Sequence, residues 1–283
     1  MHIARVRSGD RDGIGLSKMG KEFSCKFFDS SVDLDALLLD AAEARSIGPN
    51  TVNLPESDLT FLSPLQAPSK IICVGLNYLS HSREAGFEPP TYPAFFARFP
   101  SSLIAHEQPL IRPILSEQLD FEGELVAIIG KGGREIAKEN ALDHVIGYSL
   151  FNDGSIRDFQ SKSAQWTVGK NFDGTGAFGP WIVTADQLPA GGANLRLQTR
   201  LNGQVVQDAS TSDLIFDVAT LVSILSEFLT LSRGDIIVTG TPSGVGAGRK
   251  PPLWMKPGDV CEVEIEGIGV LRNPVADQIA TAR

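Results

Sequence analysis

Short apolar runs, separated by glycine and proline, dominate the pattern of hydrophobic positions along this chain of 283 residues. Runs of four to six apolar residues between such breaks are typical of buried strands. They predict strands over residues 71–75, 125–129, 147–151, 235–238 and 260–265, with shorter strands inside 1–28. Asn202-Gly203 favours the tight turn of a β-hairpin, which we expect over 195–210.

Helical periodicity is confined to two segments. Apolar residues recur at helical spacing from Leu34 to Ala42 and predict a helix that Gly48-Pro49 ends. A second helix is predicted over Leu214–Leu229, capped by Ser212 or Asp213. Because strands dominate and the few helices do not alternate with them, the fold class is expected to be α+β.

Prolines divide the chain into two parts. The stretch from Pro49 to Pro68 is irregular and contains Pro55 and Pro64. We therefore expect a small N-terminal domain over residues 1–66 and a larger domain over 67–283.

Composition and charge exclude several classes of function. A formal net charge of −9 and a pI near 5.0 argue against binding to nucleic acid or to anionic membranes. Phosphate-binding loop motifs and the spacings of zinc sites are absent from the sequence. Three scattered cysteines, no signal-peptide pattern and no long apolar run lead us to expect a cytoplasmic protein.

Acidic residues alternate along the segment that leads into the apolar run 125–129, namely Asp120, Glu122 and Glu124. Alternate residues of a strand point to one face, so these carboxylates are expected to align. No Lys or Arg adjoins them in sequence, and a hard divalent cation would remove their mutual repulsion. The pattern leaves a metal site and an ion-free acidic strand both open.

Two further motifs carry candidate chemistry. Asp153 follows the predicted strand 147–151, a position that suits either a site residue or a helix N-cap. His81 and Glu84 are neighbours on a helical turn, where the carboxylate could orient the imidazole as a general base. An exposed His–Glu pair is the alternative, and the pattern alone favours it.

Taken together, six ordered blocks resemble the fumarylacetoacetate hydrolase family over about residues 69–275. They read KIICVGLNYLSHSREAG, LDFEGELVAIIGK, VIGYSLFNDGSIRDFQ, WTVGKNFDGTGAFGPWIV, LNGQV and GDIIVTGTPSGVG. The first 66 or so residues resemble the short N-terminal domain of the smaller bacterial members. The resemblance implies a mixed β-sandwich roll with a small N-terminal α/β domain, usually assembled as a homodimer.

The resemblance also implies the site residues. Metal ligands for Mg²⁺ or Mn²⁺, with Ca²⁺ as a further candidate, would be Glu122, Glu124 and Asp153. Catalytic residues would be His81 and Glu84, carried on a lid that orders when ligand binds, and Lys170. Substrate-binding residues would be Arg157, Gln160 and Thr241. Specificity is expected around Phe87, Phe95, Phe96 and Arg98.

The implied activity is hydrolysis of a carbon–carbon bond in a 2,4-dioxo acid, such as an acylpyruvate. The products would be pyruvate or a related 2-oxo acid and a carboxylic acid, in the breakdown of aromatic or sugar acids. One alternative is an isomerase or decarboxylase of a related dioate, of the 2-hydroxyhepta-2,4-dienedioate or oxaloacetate type. Another is a carboxylate-binding protein without catalysis, which would need the metal but no base.

Overall fold

The computed structural model describes residues 1–29, 31–84, 86 and 88–279. Strands outnumber helices in these residues and form a large mixed sheet, a five-stranded sheet and a two-stranded ribbon. The helices are short and do not alternate regularly with the strands. The predicted α+β class is therefore confirmed.

The strands are β1 (His2–Ser8), β2 (Arg11–Ser17), β3 (Glu22–Phe27), β4 (Val52–Pro55), β5 (Thr60–Phe61), β6 (Ile71–Gly75), β7 (Ala94–Arg98), β8 (Leu103–Ile104), β9 (Leu110–Arg112), β10 (Leu119–Asp120), β11 (Gly123–Ile129), β12 (Val145–Asp153), β13 (Ser155–Ile156), β14 (Gly176–Thr184), β15 (Arg196–Leu201), β16 (Gln204–Ser210), β17 (Ile236–Val238), β18 (Val260–Ile265) and β19 (Gly269–Asp277). The α-helices are α1 (Leu34–Ala44), α2 (Leu79–Glu84), α3 (Arg157–Gln160), α4 (Thr167–Lys170) and α5 (Val218–Phe228).

The large sheet crosses the predicted domain boundary. Its main order is β4-β3-β2-β1-β14-β12-β11-β17-β6-β7, with β5 paired to β1 and β8 paired to β14. The N-terminal strand β1 lies antiparallel to β14, with His2 opposite Val183 and Ile3 opposite Ile182. The smaller sheet has the order β16-β15-β18-β19-β9. The division between residues 66 and 67 stays a prediction.

Strand β11 is buried on both of its faces. Leu125 and Ala127 belong to the apolar cluster that includes Val263 of the smaller sheet. On the other face, Val126 belongs to the cluster that includes Leu38 of α1. Burial on both faces explains why this run is continuously apolar instead of alternating. The buried strand also places its first residues, which include Glu124 and follow Glu122, at the edge of the core.

The predicted hairpin is confirmed, and the first helix is shorter than predicted. β15 and β16 flank Asn202 and Gly203, whose φ angles of 52° and 78° suit the tight turn. α1 ends at Ala44 instead of at Gly48, and Arg45 takes a left-handed φ of 54°. Residues 43–46 are exposed, so no apolar contact extends the helix further.

The predicted start of the longest C-terminal helix is also wrong. α5 begins at Val218, and the carboxylate of Asp217 caps it by accepting a hydrogen bond from Thr220 N at 2.7 Å. The predicted caps lie instead in a 3₁₀ turn, Thr211–Asp213, which Ser210 caps. Within the described residues, none of the helices has the length and apolarity needed to cross a membrane.

Candidate active site and metal centre

One cavity of about 400 Å³ contains all nine predicted site residues in its lining. They are His81, Glu84, Glu122, Glu124, Asp153, Arg157, Gln160, Lys170 and Thr241. The short helices α2, α3 and α4 carry five of them, whereas Glu122, Glu124 and Asp153 lie at the adjacent ends of the β11 and β12 segments. The fold therefore brings together residues that are distant in sequence, and their individual roles stay predictions.

Three buried carboxylates form the acidic end of the cavity. Glu122 lies directly before β11, Glu124 lies in β11, and Asp153 ends the neighbouring strand β12. Asp153 N donates to Glu122 O at 2.8 Å, which holds the two strand ends together. One oxygen from each carboxylate lies within 4.8 Å of the others, and the three residues are at most 4% exposed.

Asp120 does not join this cluster, so the expected row of three aligned carboxylates is wrong. Asp120 ends the short strand β10, which pairs with β13, and residues 121 and 122 separate β10 from β11. The interruption turns the Asp120 carboxylate away, toward Arg157 and the amides of Gly246 and Ala247.

Cations that are distant in sequence pair with Glu122 and Asp153, so the repulsion expected between these two carboxylates is largely compensated. Lys170 Nζ donates to Glu122 and, at 2.6 Å, to Asp153 Oδ2. Arg157 Nη2 donates to Glu122 Oε1 at 2.5 Å, and Arg98 donates to Asp153. Burial raises the pKa of Glu122, but Arg157 and Lys170 outweigh it and hold that pKa well below its usual range.

Glu124 is the carboxylate of the three that forms no ion pair with a Lys or Arg in the part of the chain that the structure describes. Burial, together with the nearby Asp153 and Glu122, raises the pKa of Glu124 well above its usual range. Among the described residues, its hydrogen-bond partner is the amide of Gly240. A divalent ion would stabilise the charged form, and a set of three carboxylates matches the oxygen ligands that Mg²⁺ and Mn²⁺ accept. These residues therefore fit the metal expected from the sequence.

The His–Glu pair lines the cavity, with His81 nearly buried and Glu84 still partly open to solvent. His81 is 9% exposed, and its Nδ1 lies 3.3 Å from Glu84 Oε2. Gly244 N donates to Glu84 Oε1 at 3.0 Å. Burial raises the pKa of Glu84, but hydrogen bonds from His81 and Gly244 outweigh it and lower that pKa. An ionised Glu84 would hold the Nδ1 proton and leave Nε2 of a neutral imidazole as the basic nitrogen.

The predicted substrate-binding residues lie on the side of the cavity formed by α3 and the segment after β17. Arg157 Nη1 donates to Gln160 Oε1 at 2.9 Å, so these two side chains are fixed to one another. Thr241 Oγ1 donates to Gly123 O at 3.0 Å and accepts from Gln207. The hydroxyl and amide groups are thus held on the protein before a ligand arrives.

The residues expected to set specificity lie in different places, and not all of them line the cavity. Phe96 lines the cavity, whereas Phe95 packs against Tyr92 and Phe228 outside it. The expectation for Arg98 is wrong, because its side chain is fully buried behind Asp153. Phe87 lies outside the described residues.

Two features of the cavity were not predicted from the sequence: the aromatic side formed by Phe96 and Trp166, and the close packing at two glycines. Trp166 lines the cavity with its ring centroid 5.5 Å from that of Phe96. A Cβ on Gly75 would lie 2.1 Å from the Trp166 ring. A Cβ on Gly123 would lie 2.2 Å from Thr199 Oγ1, so glycine lets the smaller sheet approach the acidic cluster. Trp166 begins the segment WTVGKNFDGTGAFGPWIV, but no charge or spacing pattern in the sequence marks it as a residue of the cavity.

Comparison with known proteins places this site among enzymes. Residues 70–276 match the profile of the fumarylacetoacetate (FAA) hydrolase C-terminal domain. Oxaloacetate tautomerase fahd2, a mitochondrial protein of Xenopus laevis, is 36% identical over 97% of this chain and 90% of its own length.

Solved structures share the fold over nearly the whole chain. The fumarylacetoacetate hydrolase of Exiguobacterium antarcticum is 37% identical, with a TM-score of 0.85 over 98% of this chain and all of its own. The maleylpyruvate hydrolase of Sphingobium sp. SYK-6, solved with manganese(II) and pyruvate, is 28% identical with a TM-score of 0.77, covering 98% and 99% of the two chains. The fold and the family resemblance predicted from the sequence are confirmed, and the chain belongs to the fumarylacetoacetate hydrolase family.

Proposed function

We propose that this protein catalyses metal-dependent keto–enol chemistry on small 2-oxo acids, with tautomerisation of an oxaloacetate-type dicarboxylic acid as its reaction. The observation that carries the proposal is the position of the His81–Glu84 pair and the three-carboxylate cluster in the lining of one small cavity. A carboxylate-binding protein would need the cluster but not an oriented base. The choice of oxaloacetate is supported by the tautomerase named above, which aligns with almost the whole chain.

The cluster of Glu122, Glu124 and Asp153 would hold Mg²⁺ or Mn²⁺. Such an ion, when bound, acts as a Lewis acid that polarises a 2-oxo group and favours its enol. His81 Nε2 removes the proton from C3, while Glu84 holds the imidazole in the required tautomer. In the reverse direction the same nitrogen returns a proton to C3. The enol oxygen takes its proton from solvent when the enol forms and gives it back to solvent when the keto form is restored.

Cationic and neutral polar groups account for binding of a small diacid. The ammonium of Lys170 stabilises negative charge that develops on the enol oxygen. Arg157 and Gln160, fixed to one another, present donors to the second carboxylate. A cavity of about 400 Å³ suits an acid of this size.

Hydrolysis of an acylpyruvate is the second candidate, favoured by the same oriented base. His81 would then take a proton from water instead of from carbon, and the water would attack the carbonyl group distant from the carboxylate. Decarboxylation of oxaloacetate uses the same enol without attack by water.

One panel of substrates tests the proposal and its alternatives, with Mg²⁺ or Mn²⁺ present. We expect the protein to make the absorbance of enol-oxaloacetate decay faster than in a reaction without protein, with no release of pyruvate. Pyruvate release from acylpyruvates, with ¹⁸O from water in the carboxylic acid product, would establish hydrolysis instead. Carbon dioxide release from oxaloacetate would establish decarboxylation, and no turnover despite Mn²⁺ binding would favour the binding protein.

The remaining expectations from the sequence are part of this proposal. We propose a homodimer acting on small acids in the cytoplasm, with no nucleic acid or membrane as partner. Light scattering of the purified protein tests the oligomeric state, and fractionation of the cells that produce it tests the location.

A further inference from the structure

Asp120 is a fully buried carboxylate that the proposed reaction does not use. Its Oδ1 accepts hydrogen bonds from Phe121 N at 2.8 Å and Gly246 N at 2.7 Å. Its Oδ2 accepts from Ala247 N at 2.9 Å and Arg157 Nε at 2.8 Å. Four donors on one buried side chain indicate a fixed position, since each lost hydrogen bond would leave a buried polar group without a partner.

One of these donors leads directly to a metal ligand. The guanidinium of Arg157 bridges two carboxylates, with Nε on Asp120 and Nη2 on Glu122. Because Asp120 and Glu122 share this cation, neither holds it alone. The carboxylate of Asp120 therefore fixes the position of the guanidinium. It also weakens the electrostatic attraction between the guanidinium and Glu122.

Two of the other donors, the amides of Gly246 and Ala247, belong to a glycine-rich loop, residues 240–248, which lacks the motif of a nucleotide-binding loop. Its amides bind carboxylates of this chain: Gly240 N donates to Glu124, and Gly244 N donates to Glu84. Gly246 N and Ala247 N donate to Asp120. The loop thus touches a metal ligand and the partner of the base, and Asp120 anchors its far end.

Close packing keeps this anchor in one place. A Cβ on Gly246 would lie 1.9 Å from Leu253 O and 2.6 Å from Asp120 Oδ1. The loop backbone therefore lies directly against the carboxylate, with no side chain between them.

We propose that Asp120 is a positioning residue, which places Glu122 through Arg157 and places the loop 240–248 through its amides. The proposal rests on the metal-dependent function proposed above. Replacing Asp120 by Asn removes the charge that shares Arg157, so the guanidinium pairs with Glu122 alone and competes with the metal. Loss of such an outer partner weakens metal affinity by about 10–100-fold.

The experiment compares Asp120→Asn with Asp235→Asn, a matched variant. Asp235 is also fully buried, and it accepts from Lys70 Nζ at 2.8 Å and Ser232 N at 2.7 Å, outside the cavity. Mn²⁺ affinity is measured by electron paramagnetic resonance titration, and Tm is measured in EDTA. Both variants should lower Tm, but only Asp120→Asn should weaken Mn²⁺ binding by about 10–100-fold.

Each other outcome has a definite meaning. Unchanged Mn²⁺ affinity in folded Asp120→Asn overturns the positioning role, as does an equal loss in Asp235→Asn. Absence of Mn²⁺ binding by the wild-type protein overturns the proposed metal-dependent function itself. If Asp120→Asn does not fold, Asp120→Glu decides, since it keeps the charge but moves it. Weaker Mn²⁺ binding than in Asp235→Glu supports the proposal, and wild-type affinity overturns it.

Discussion

Replacing Lys170 by Met should destabilise the metal-free protein and strengthen its binding of Mn²⁺. Lys170 is 2% exposed, and its ammonium donates to both Glu122 and Asp153. Burial lowers the pKa of Lys170, but Asp153 and Glu122 outweigh it and raise that pKa, so the ammonium is a fixed positive charge. Methionine keeps most of the side-chain volume but removes the charge and the hydrogen bonds to Glu122 and Asp153.

The size of the effect follows from burial. Removing one partner of a buried ion pair costs about 3–5 kcal/mol, because the other charge stays buried. At about 2 °C per kcal/mol for a chain of this size, Tm in EDTA should fall by roughly 6–10 °C. An ion bound at Glu122 and Asp153 would no longer be repelled by the ammonium, so Mn²⁺ should bind at least about 10-fold more tightly.

Thermal unfolding in EDTA and in saturating Mn²⁺ measures both effects, since a ligand of the folded state raises Tm according to its affinity. Lys70→Met is the matched control: Lys70 Nζ lies 2.8 Å from the buried Asp235, outside the cavity. Its loss of Tm should be the same with and without Mn²⁺. An equal Mn²⁺-induced rise in Tm for Lys170→Met and the wild-type protein would refute the competition between ammonium and metal.

Three further predictions concern the metal, the base and the close contact of the two sheets. Excess EDTA should abolish turnover in the substrate panel and added Mg²⁺ or Mn²⁺ should restore it; full activity in EDTA would contradict the metal assignment. His81→Ala should leave the Mn²⁺ affinity unchanged and lower kcat by about 10²–10⁴-fold, whereas a loss of Mn²⁺ affinity would make His81 a ligand. Gly123→Val should lower the free energy of unfolding by about 1–3 kcal/mol in urea titrations, because its Cβ would lie 2.2 Å from Thr199 Oγ1; unchanged stability would mean that the sheets can separate locally.

The resemblance to the family predicted a set of residues that the structure brings into one cavity, because each block carries side chains of a distinctive chemistry in a distinctive order. Glu122 and Glu124 flank one residue, and His81 and Glu84 are one helical turn apart, so their proximity follows from local geometry. Strands such as β18 were predicted to the residue, because alternation and burial both mark them.

The electrostatics could not be predicted in the same way. Arg157 is 35 residues from Glu122, and Lys170 is 48 residues from it, so the sequence neighbours of the glutamates say nothing about these cations. Arg98 reaches Asp153 across 55 residues. The ends of α1 and α5 were misplaced for a related reason, since tertiary contacts and capping side chains, more than periodicity, decide where a helix begins and ends.

The pairing of β1 with β14 gives the first residues of the chain a protective role. The outer edge of β14 is covered in two pieces, by β8 along Gly176 and Ala177 and by β1 along Ile182 and Val183. Unpaired strand edges are templates for association with other chains. The opposite edge of β14 pairs with β12, which ends at Asp153. Strand β1 covers β14 at Ile182 and Val183, opposite Tyr148 of β12, whereas Asp153 lies at the other end of β12. A chain without β1 would therefore leave part of the β14 edge unpaired and open to association with other chains, although no residue of β1 lines the cavity.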